Sequence, residues 1–271
     1  MSGTLVLAGG GKMGGALLAG WLNKGMGGAD IIVVEPDSKT ASAISEKHGV
    51  AVVEIVGDLD ADLTPETVVF AVKPQSMDDV APAYGGYAGP DTVFLSIAAG
   101  RTIAYFEDKL GPEAAIVRAM PNAPAAVGRG ITVAAANGQV TGQQKSRCDG
   151  LLGAVGDVAW IDDEGLMDAV TAVSGSGPAY VFLLAESLAE AGREAGLPAE
   201  LSDQLARATV AGAGELLHQS GDSATRLREN VASPGGTTAA ALEVLMGRDG
   251  WQALMTKAVA AAVKRSRELA G

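Results

Sequence analysis

The chain has 271 residues, of which 48% are hydrophobic and 4% aromatic, and its formal net charge is −12. This length favours two domains, and the apolar content suffices for a hydrophobic core and argues against disorder. The excess of acidic residues argues against nucleic acid or an anionic membrane surface as a partner, because both attract clustered Lys and Arg.

The first half of the chain alternates short apolar runs with helical or loop segments. This alternation predicts βαβ units, and therefore a mostly parallel sheet with helices on both faces. The predicted strands lie at residues 4–8, 31–35, 51–54, 68–72, 93–97, 115–119 and 131–136, with 157–161 as a last edge strand.

A glycine motif follows the first of these strands. Gly9, Gly11 and Gly14 have the G-x-G-x-x-G spacing, with Lys12 and Met13 between them, and a helical pattern begins there. In dinucleotide-binding proteins the first glycine permits a tight turn, the second admits the pyrophosphate, and the third lets helix and strand pack closely. The alternative is a glycine-rich turn without a ligand, but the strand and helix around the motif favour a nucleotide site.

Glu35 ends the second predicted strand, 21 residues after Gly14. A carboxylate at this position can accept hydrogen bonds from both ribose hydroxyls and repels the 2′-phosphate of NADPH. The alternative is a surface acid at a strand end. Asp37 adds negative charge and Lys39 offsets it. We therefore expect NADH or NADPH as the cofactor, with a preference for NADH.

Ligands of such sheets bind beyond the carboxyl ends of the strands. Three segments fall there, at residues 71–74, 96–100 and 120–122, and Lys73 suits a phosphate or ribose contact unless it is a solvated loop lysine. The further cofactor contacts that we predict from these segments are Val72, Pro74, Ala98 and Asn122.

Helical periodicity replaces strand-like runs after residue 163. We therefore predict a dinucleotide-binding domain over 1–163 and an α-helical domain over 164–271. Pro178, in the segment from Ser174 to Pro178, should kink or restart the first helix. The helices are predicted at about 166–195, 199–219, 237–246 and 250–269.

The segment from Val231 to Thr238 combines a turn with a helix start. Ser233 and Pro234 favour a turn, the two following glycines permit positive φ, and Thr237 and Thr238 open a helix. Free N–H groups at such a start can bind a carboxylate, and the hydroxyls beside them could hold a ring nitrogen. The alternative is an ordinary capped turn.

Cys148 is the one cysteine, and the two histidines are distant from it and from each other in sequence. We therefore expect no internal disulfide, no metal site built from His and Cys, and a reducing environment such as the cytoplasm, whereas ligation of Mg²⁺ by carboxylates stays open. We also expect no secretion signal at the N-terminus and no membrane span, since no apolar run approaches the ~18 residues that a span needs.

These motifs together resemble the pyrroline-5-carboxylate reductase family along nearly the whole chain. The resemblance rests on five segments, at residues 9–14, 71–74, 118–122, 174–180 and 230–238, and the last of these, followed by Leu242 and Glu243, is the most specific. It implies a Rossmann-type α/β domain followed by an all-α dimerisation domain that intertwines with a second subunit, and an assembly up to a decamer.

The resemblance also implies the reaction, which is reduction of a small cyclic imino acid, pyrroline-5-carboxylate, to L-proline with NAD(P)H. Thr238 would then be the catalytic residue that bonds to the imine nitrogen. Many family members have Ser, Thr, Asn or Arg near the position of Glu35 and favour NADPH. The acid at this position in the present chain argues against the same preference for NADPH. The implied substrate-binding residues are Asn230, Ser233, Gly235, Gly236 and Thr237.

Two other functions fit parts of the sequence. A β-hydroxyacid dehydrogenase shares the layout but uses a lysine on the long interdomain helix, and the run from Ser174 to Glu194 contains no lysine and only Arg193 as a basic residue. A non-catalytic nicotinamide-sensing module would not need the turn at Ser233. Both features favour the reductase.

Overall fold

The computed structural model describes residues 4–270. Its sheet has the strand order β3-β2-β1-β4-β5-β6-β7-β8. Neighbouring strands pair in parallel except β6 and β7, which are antiparallel. The strands in the described residues are β1 (Leu5–Ala8), β2 (Ile31–Val34), β3 (Ala51–Val53), β4 (Thr67–Phe70), β5 (Val93–Ser96), β6 (Ala115–Met120), β7 (Gly130–Ala136) and β8 (Gly156–Trp160).

This sheet confirms the predicted mostly parallel Rossmann-type architecture, with β8 at one edge. The strand order reverses between β1 and β4, so a crevice opens beyond their carboxyl ends, where dinucleotides bind in this fold. The helices of this part of the chain are α1 (Lys12–Asn23), α2 (Ser38–His48), α3 (Met77–Val80), α4 (Ile103–Leu110) and α5 (Gly142–Leu152).

The central strands are buried on both faces, which explains their continuous apolar runs. Leu5 and Leu7 of β1 pack into one hydrophobic cluster, and the alternate residues Val6 and Ala8 pack into the other. The first cluster contains Trp21 and other side chains from α1 and α5. The second cluster is rich in aromatic side chains. These clusters fix α1, and with it the glycine loop, against β1.

The predicted helix over 166–195 is interrupted, as Pro178 indicated. A short helix α6 (Met167–Val170) continues into a π-helical turn at Thr171–Gly175, and a new helix α7 (Gly177–Glu194) begins after it. Pro178 lies in the first turn of α7, where a missing N–H breaks no helical hydrogen bond.

The rest of the chain is helical. The helices α8 (Ala199–Gln219), α10 (Thr237–Leu245) and α11 (Trp251–Ala270) were predicted, whereas α9 (Ala224–Val231) was not. This helix is short, mostly polar and buries no residue, and its start is marked mainly by the Ser223 cap on the N–H of Arg226.

Contacts divide the described residues into two compact units, and the division differs from the predicted boundary at residue 163. One unit extends through Gly175 and includes the chain from Val263 onward, and the other is Ser176–Ala262. The segment after residue 163 groups with the sheet because Met167 is buried in its core. The end of α11 joins the same unit, where Ser266 Oγ donates to Asp168 Oδ1 at 2.6 Å. No helix in residues 4–270 is both long and apolar enough to span a membrane.

Candidate active site

The glycine loop is shaped by contacts that exclude side chains at two positions and permit one at a third. Gly9 has φ +97°, and a Cβ there would lie 2.9 Å from Val72 Cγ1. A Cβ on Gly14 would overlap the carbonyl oxygen of Gly9, whereas a Cβ on Gly11 would meet nothing within 4 Å. Gly9 and Gly14 therefore serve the packing of the loop, and Gly11 borders open space that a ligand can approach.

The N-terminus of α1 opens onto that space. Gly11 is its N-cap residue, and no side chain caps this helix within the described chain. Uncapped N–H groups and the positive end of a 12-residue helix are suited to a pyrophosphate. Lys12 is exposed beside them, and Met13 packs against the core. The loop therefore fits the phosphates of a dinucleotide.

Glu35 is tied to this loop. Its Oε2 accepts a hydrogen bond from the N–H of Gly10 at 2.8 Å, and its Oε1 accepts one from the N–H of Asp37 at 3.0 Å. Each carboxylate oxygen keeps further acceptor capacity, so the held carboxylate can receive ribose hydroxyls but offers nothing to a phosphate. This is the chemistry expected of a residue that selects against a 2′-phosphate.

The two charged residues after Glu35 have different environments. Asp37 caps α2, because its Oδ1 accepts from the N–H of Thr40 at 2.9 Å and from its hydroxyl at 2.7 Å. These hydrogen bonds lower the pKa of Asp37 below its usual value. Lys39 is exposed and, with Lys12, lines a shallow groove between α1 and α2. The carboxylate that faces the crevice is therefore that of Glu35.

A cavity of about 600 Å³ lies beyond the carboxyl ends of β1, β2, β3 and β4. It brings together five of the predicted cofactor residues, which are Gly9, Gly11, Glu35, Val72 and Lys73. The sequence reasoning missed four of its polar lining residues. Each follows the end of β3 or β4, so the rule that ligands bind at strand ends could have found them. They are Glu54, Ser76, Asp79 and Tyr84.

Of the other predicted cofactor residues, Lys12, Met13 and Gly14 lie in the first turn of α1, and three more lie after β4, β5 and β6, all outside the lining of this cavity. Pro74 begins a short 3-10 turn, and Ala98 is buried, with its N–H donating to Ser96 Oγ at 3.2 Å. Asn122 Oδ1 accepts from the N–H of Ile131 at 3.0 Å, and its Nδ2 lies 3.4 Å from Ser174 Oγ. The Asn122 side chain thus joins the loop after β6 to the start of β7 and to the π-helical turn.

Arg118, in one of the segments that carried the resemblance, forms a buried ion pair on β6. Its Nη1 donates to Glu164 Oε1 at 2.6 Å, and the same oxygen accepts from the N–H of Ile103 at 2.9 Å. This arrangement connects β6, the start of α4 and the segment that follows β8. The sequence gives no local sign of this pairing, since 46 residues separate the partners.

The second predicted site is a turn that leads directly into α10. The N–H of Gly236 donates to the carbonyl of Ser233 at 3.0 Å, and Gly235 has φ +71°. With Pro234 between them, these features fit a type II turn, whose third residue requires positive φ. Gly236 is the N-cap of α10, and no side chain caps this helix in the described residues. The first N–H groups of α10 are therefore available to an anion.

The structure brings five of the six predicted residues of this site together. Ser233, Gly235 and Thr237 are exposed on the turn and the first turn of α10, and Thr238 is half-buried beside them. Asn230 is exposed near the end of α9, in the preceding helix. The turn and the start of α10 therefore bring backbone N–H groups together with the hydroxyl residues Ser233, Thr237 and Thr238.

Comparisons with known proteins bear on both halves of the chain. A protein-family sequence model described as pyrroline-5-carboxylate reductase dimerisation matches residues 164–269. A model described as NADP oxidoreductase, coenzyme F420-dependent, matches residues 4–100. A pyrroline-5-carboxylate reductase of Pseudomonas aeruginosa is 39% identical over 98% of this chain and 96% of its own length. The chain belongs to the pyrroline-5-carboxylate reductase family.

Solved structures of the family agree with this assignment over the full length. A pyrroline-5-carboxylate reductase of Coxiella burnetii has a TM-score of 0.92 at 34% identity, covering 99% of both chains. A pyrroline carboxylate reductase of Plasmodium falciparum, solved with NADP bound, has a TM-score of 0.81 at 30% identity and covers 100% of this chain and 99% of that one. The pyrroline-5-carboxylate reductase family membership confirms the expected class, a nicotinamide-dependent oxidoreductase, and the expected helical dimerisation region.

Proposed function

We propose that this protein reduces 1-pyrroline-5-carboxylate to L-proline with a reduced nicotinamide cofactor, which is the last step of proline biosynthesis. The observation that carries the proposal is the uncapped start of α10 behind the Ser233–Gly236 turn, in a chain that belongs to this family. A sensing module would have no use for this second anion site, and the proposal therefore treats it as the substrate site.

The turn would hold the substrate carboxylate. The N–H groups of Gly235 and Thr237 and the hydroxyls of Ser233 and Thr237 are the donors that we assign to it. Gly236 contributes the close backbone approach, since its own N–H donates to the carbonyl of Ser233. Asn230, at the end of α9, completes the substrate-binding set. Fixing the carboxylate restricts the orientation of the ring, and such positioning supplies much of the catalytic effect when a hydride acceptor must be aligned.

Thr238 is the residue that we assign to the imine nitrogen. When bound, the reduced nicotinamide supplies the hydride that adds to the imine carbon. Electron density then develops on nitrogen, and the Thr238 hydroxyl can donate a hydrogen bond to it or relay a proton from water. A stronger acid is unnecessary, because the substrate can arrive as a protonated iminium.

We propose that NADH is the preferred cofactor. Gly9, Gly11, Lys12, Met13 and Gly14 would hold the pyrophosphate, and Glu35 would accept the ribose hydroxyls. The carboxylate of Glu35, with those of Glu54 and Asp79 in the same cavity, disfavours a further phosphate there by charge repulsion. The further contacts that we assign to the cofactor are those of Val72, Lys73, Pro74, Ala98 and Asn122.

We also propose a homodimer in which the helical domains, residues 164–271, intertwine. In the described residues of the helical unit, large apolar side chains remain exposed, among them Phe182 at 62% and Val244 at 76%, whereas α9 and α10 bury no residue. Exposed apolar side chains of this size are stabilised when association covers them. The resemblance extends the proposal to a decamer, and the lone buried Cys148 is compatible with a cytoplasmic location.

Steady-state kinetics test the reaction directly. Oxidation of NADH and of NADPH is followed with pyrroline-5-carboxylate. In a separate assay, reduction of NAD⁺ and of NADP⁺ is followed with small 3-hydroxy acids. We expect turnover with the imine alone, and a higher kcat/KM for NADH than for NADPH. Turnover of a hydroxy acid in place of the imine would favour a dehydrogenase, and cofactor binding without any turnover would favour a sensing module.

A further inference from the structure

Arg101 joins the loops that follow two adjacent strands. It lies in the loop after β5, four residues before Tyr105 of α4. Its Nε and Nη2 both donate to the carbonyl oxygen of Pro74, at 3.1 and 2.9 Å, and Nη2 also contacts Asp78 Oδ2 at 3.0 Å. One guanidinium group therefore fixes a backbone carbonyl of the loop after β4 and a carboxylate of α3.

Tyr105 supports this arrangement from α4. The Cζ atom of Arg101 lies 4.6 Å from the centre of the Tyr105 ring, a cation–π distance. The Tyr105 hydroxyl donates to Asp78 Oδ1 at 2.9 Å, so both oxygens of Asp78 are occupied. Burial, followed by the hydrogen bond to Asp78, raises the pKa of Tyr105 to about 12, which keeps the hydroxyl protonated as a donor.

The Pro74 carbonyl matters because of what surrounds it. Val72, Lys73 and Ser76 line the 600 Å³ cavity, and Pro74, which does not line it, connects Lys73 to the rest of this segment. The segment is only a three-residue 3-10 turn, and a short turn of this kind has little stability of its own. Its position relative to Gly9, whose Cα faces Val72, depends on contacts from outside the turn.

We infer that Arg101 is a positioning residue for the nicotinamide cofactor, because it holds the Val72–Ser76 wall of the cavity in place without lining the cavity itself. This inference rests on the proposed function only in that the cavity takes the cofactor. Arg101 can set the affinity for the cofactor because the fork of its guanidinium reaches the carbonyl and the carboxylate together.

The test is a titration of NADH, followed by its fluorescence, with the full-length protein and the Arg101→Ala variant and without substrate. The variant loses the hydrogen bonds from Arg101 to the Pro74 carbonyl and to Asp78, and the Kd for NADH should therefore rise about three- to tenfold. The KM for NADH should rise in parallel, whereas kcat at saturating NADH should change less than about twofold, since the bound cofactor reaches the same position.

Two further variants separate geometry from charge. Arg101→Lys keeps the positive charge but cannot reproduce the fork, so most of the increase in Kd should remain. Tyr105→Phe keeps the ring and removes the hydroxyl, so Kd should rise by a smaller factor even if Arg101→Ala folds poorly. Full recovery of affinity in Arg101→Lys would overturn the assignment of the fork.

Arg147→Ala is the matched control. Arg147 Nη2 pairs with Glu66 Oε2 at 2.9 Å, with a similar partial burial, but at the opposite end of β4. Both Arg→Ala variants should lower the melting temperature comparably, and only Arg101→Ala should weaken NADH binding. Equal Kd values for wild type and Arg101→Ala, or equal weakening in both variants, would overturn the inference and leave the proposed reaction intact. Absence of NADH binding by the wild type would instead remove the proposed function, and the inference with it.

Discussion

Glu35 Oε2 and the backbone N–H of Gly10 are joined by a hydrogen bond of 2.8 Å. The carboxylate that we assign to the ribose hydroxyls is thus held by the same loop that we assign to the pyrophosphate. A residue that discriminates between two dinucleotides must have a defined orientation, and this bond, with the one from Asp37, supplies it. The proposed discrimination between NADH and NADPH therefore rests on the negative charge of a carboxylate in a fixed position.

Glu35→Gln should shift the cofactor preference toward NADPH. The amide keeps an oxygen for the N–H of Gly10 and removes the negative charge, so kcat/KM for NADPH relative to NADH should rise about tenfold, or ~1.4 kcal/mol. Steady-state kinetics with both cofactors measure the ratio. Glu54→Gln, which removes a charge from the same cavity, should change the ratio less. An unchanged ratio in Glu35→Gln would show that Glu35 does not select the cofactor.

Two glycine substitutions should separate stability from cofactor binding. The Cβ of Gly14→Ala would overlap the carbonyl oxygen of Gly9, so the free energy of unfolding should fall by about 3 kcal/mol or more. The Cβ of Gly11→Ala meets only open space, so stability should stay within about 1 kcal/mol. The Kd of Gly11→Ala for NADH should nevertheless rise about tenfold, ~1.4 kcal/mol, because the methyl group occupies the approach of the pyrophosphate.

Urea unfolding and NADH titration of both glycine variants make the comparison. Equal losses of stability in the two variants would contradict the distinction between packing at Gly14 and ligand approach at Gly11. Unchanged NADH affinity in Gly11→Ala would remove this glycine from the nucleotide site.

The resemblance to a family and the local motifs predicted much of the fold, and the reasons are local. The strands were found because burial of both faces leaves continuous apolar runs such as Leu5–Ala8. The short helix α9 was missed because its eight residues are mostly polar and none of them is buried. The π-helical turn at Thr171–Gly175 could not be predicted from the sequence either. It lies between α6 and α7, and local residue preferences do not distinguish it from an α-helical turn.

In the candidate site, too, features with a local sequence pattern could be predicted, whereas contacts between distant residues could not. The glycine loop and Glu35 lie in a recognisable order along the chain, so the sequence indicates them. The contact between Arg101 and Pro74 joins residues 27 apart, and the ion pair of Arg118 with Glu164 joins residues 46 apart. No pattern in one sequence signals such pairs, and only the folded sheet brings them together.

Thr238→Ala should lower kcat by at least an order of magnitude, on the scale of ~10²–10⁴ typical of general acid catalysis. The KM for pyrroline-5-carboxylate should change less, since the turn at Ser233 still binds the carboxylate. Thr238→Ser keeps a hydroxyl and should retain most of the activity. Unchanged turnover in Thr238→Ala would remove Thr238 from the mechanism.

Cys148 should be unreactive in the folded protein. Burial raises the pKa of its thiol from 9.0 to about 12, and the thiolate is the reactive form. A disulfide reagent at pH 8 should therefore modify the protein only after unfolding in urea. Fast modification of the folded protein would contradict the burial of this side chain.

The raised pKa also has a consequence for stability. The folded chain retains a proton that the unfolded chain releases above pH 9.0, so this thiol's contribution is complete below that pH and declines as the pH rises toward 12. Urea unfolding of wild type and Cys148→Ala over this range should show a steeper decline for the wild type. Equal slopes would contradict the shift.

We propose that the Ser233–Gly236 turn and the start of α10 hold the substrate carboxylate. The decisive measurement is a crystal structure of the complex with NADH and L-proline, which locates the bound carboxylate. We predict the proline carboxylate at ~2.7–3.2 Å from the N–H groups of residues 235 and 237, with the ring nitrogen within reach of the Thr238 hydroxyl. L-proline bound away from this turn in an active complex would contradict the claim.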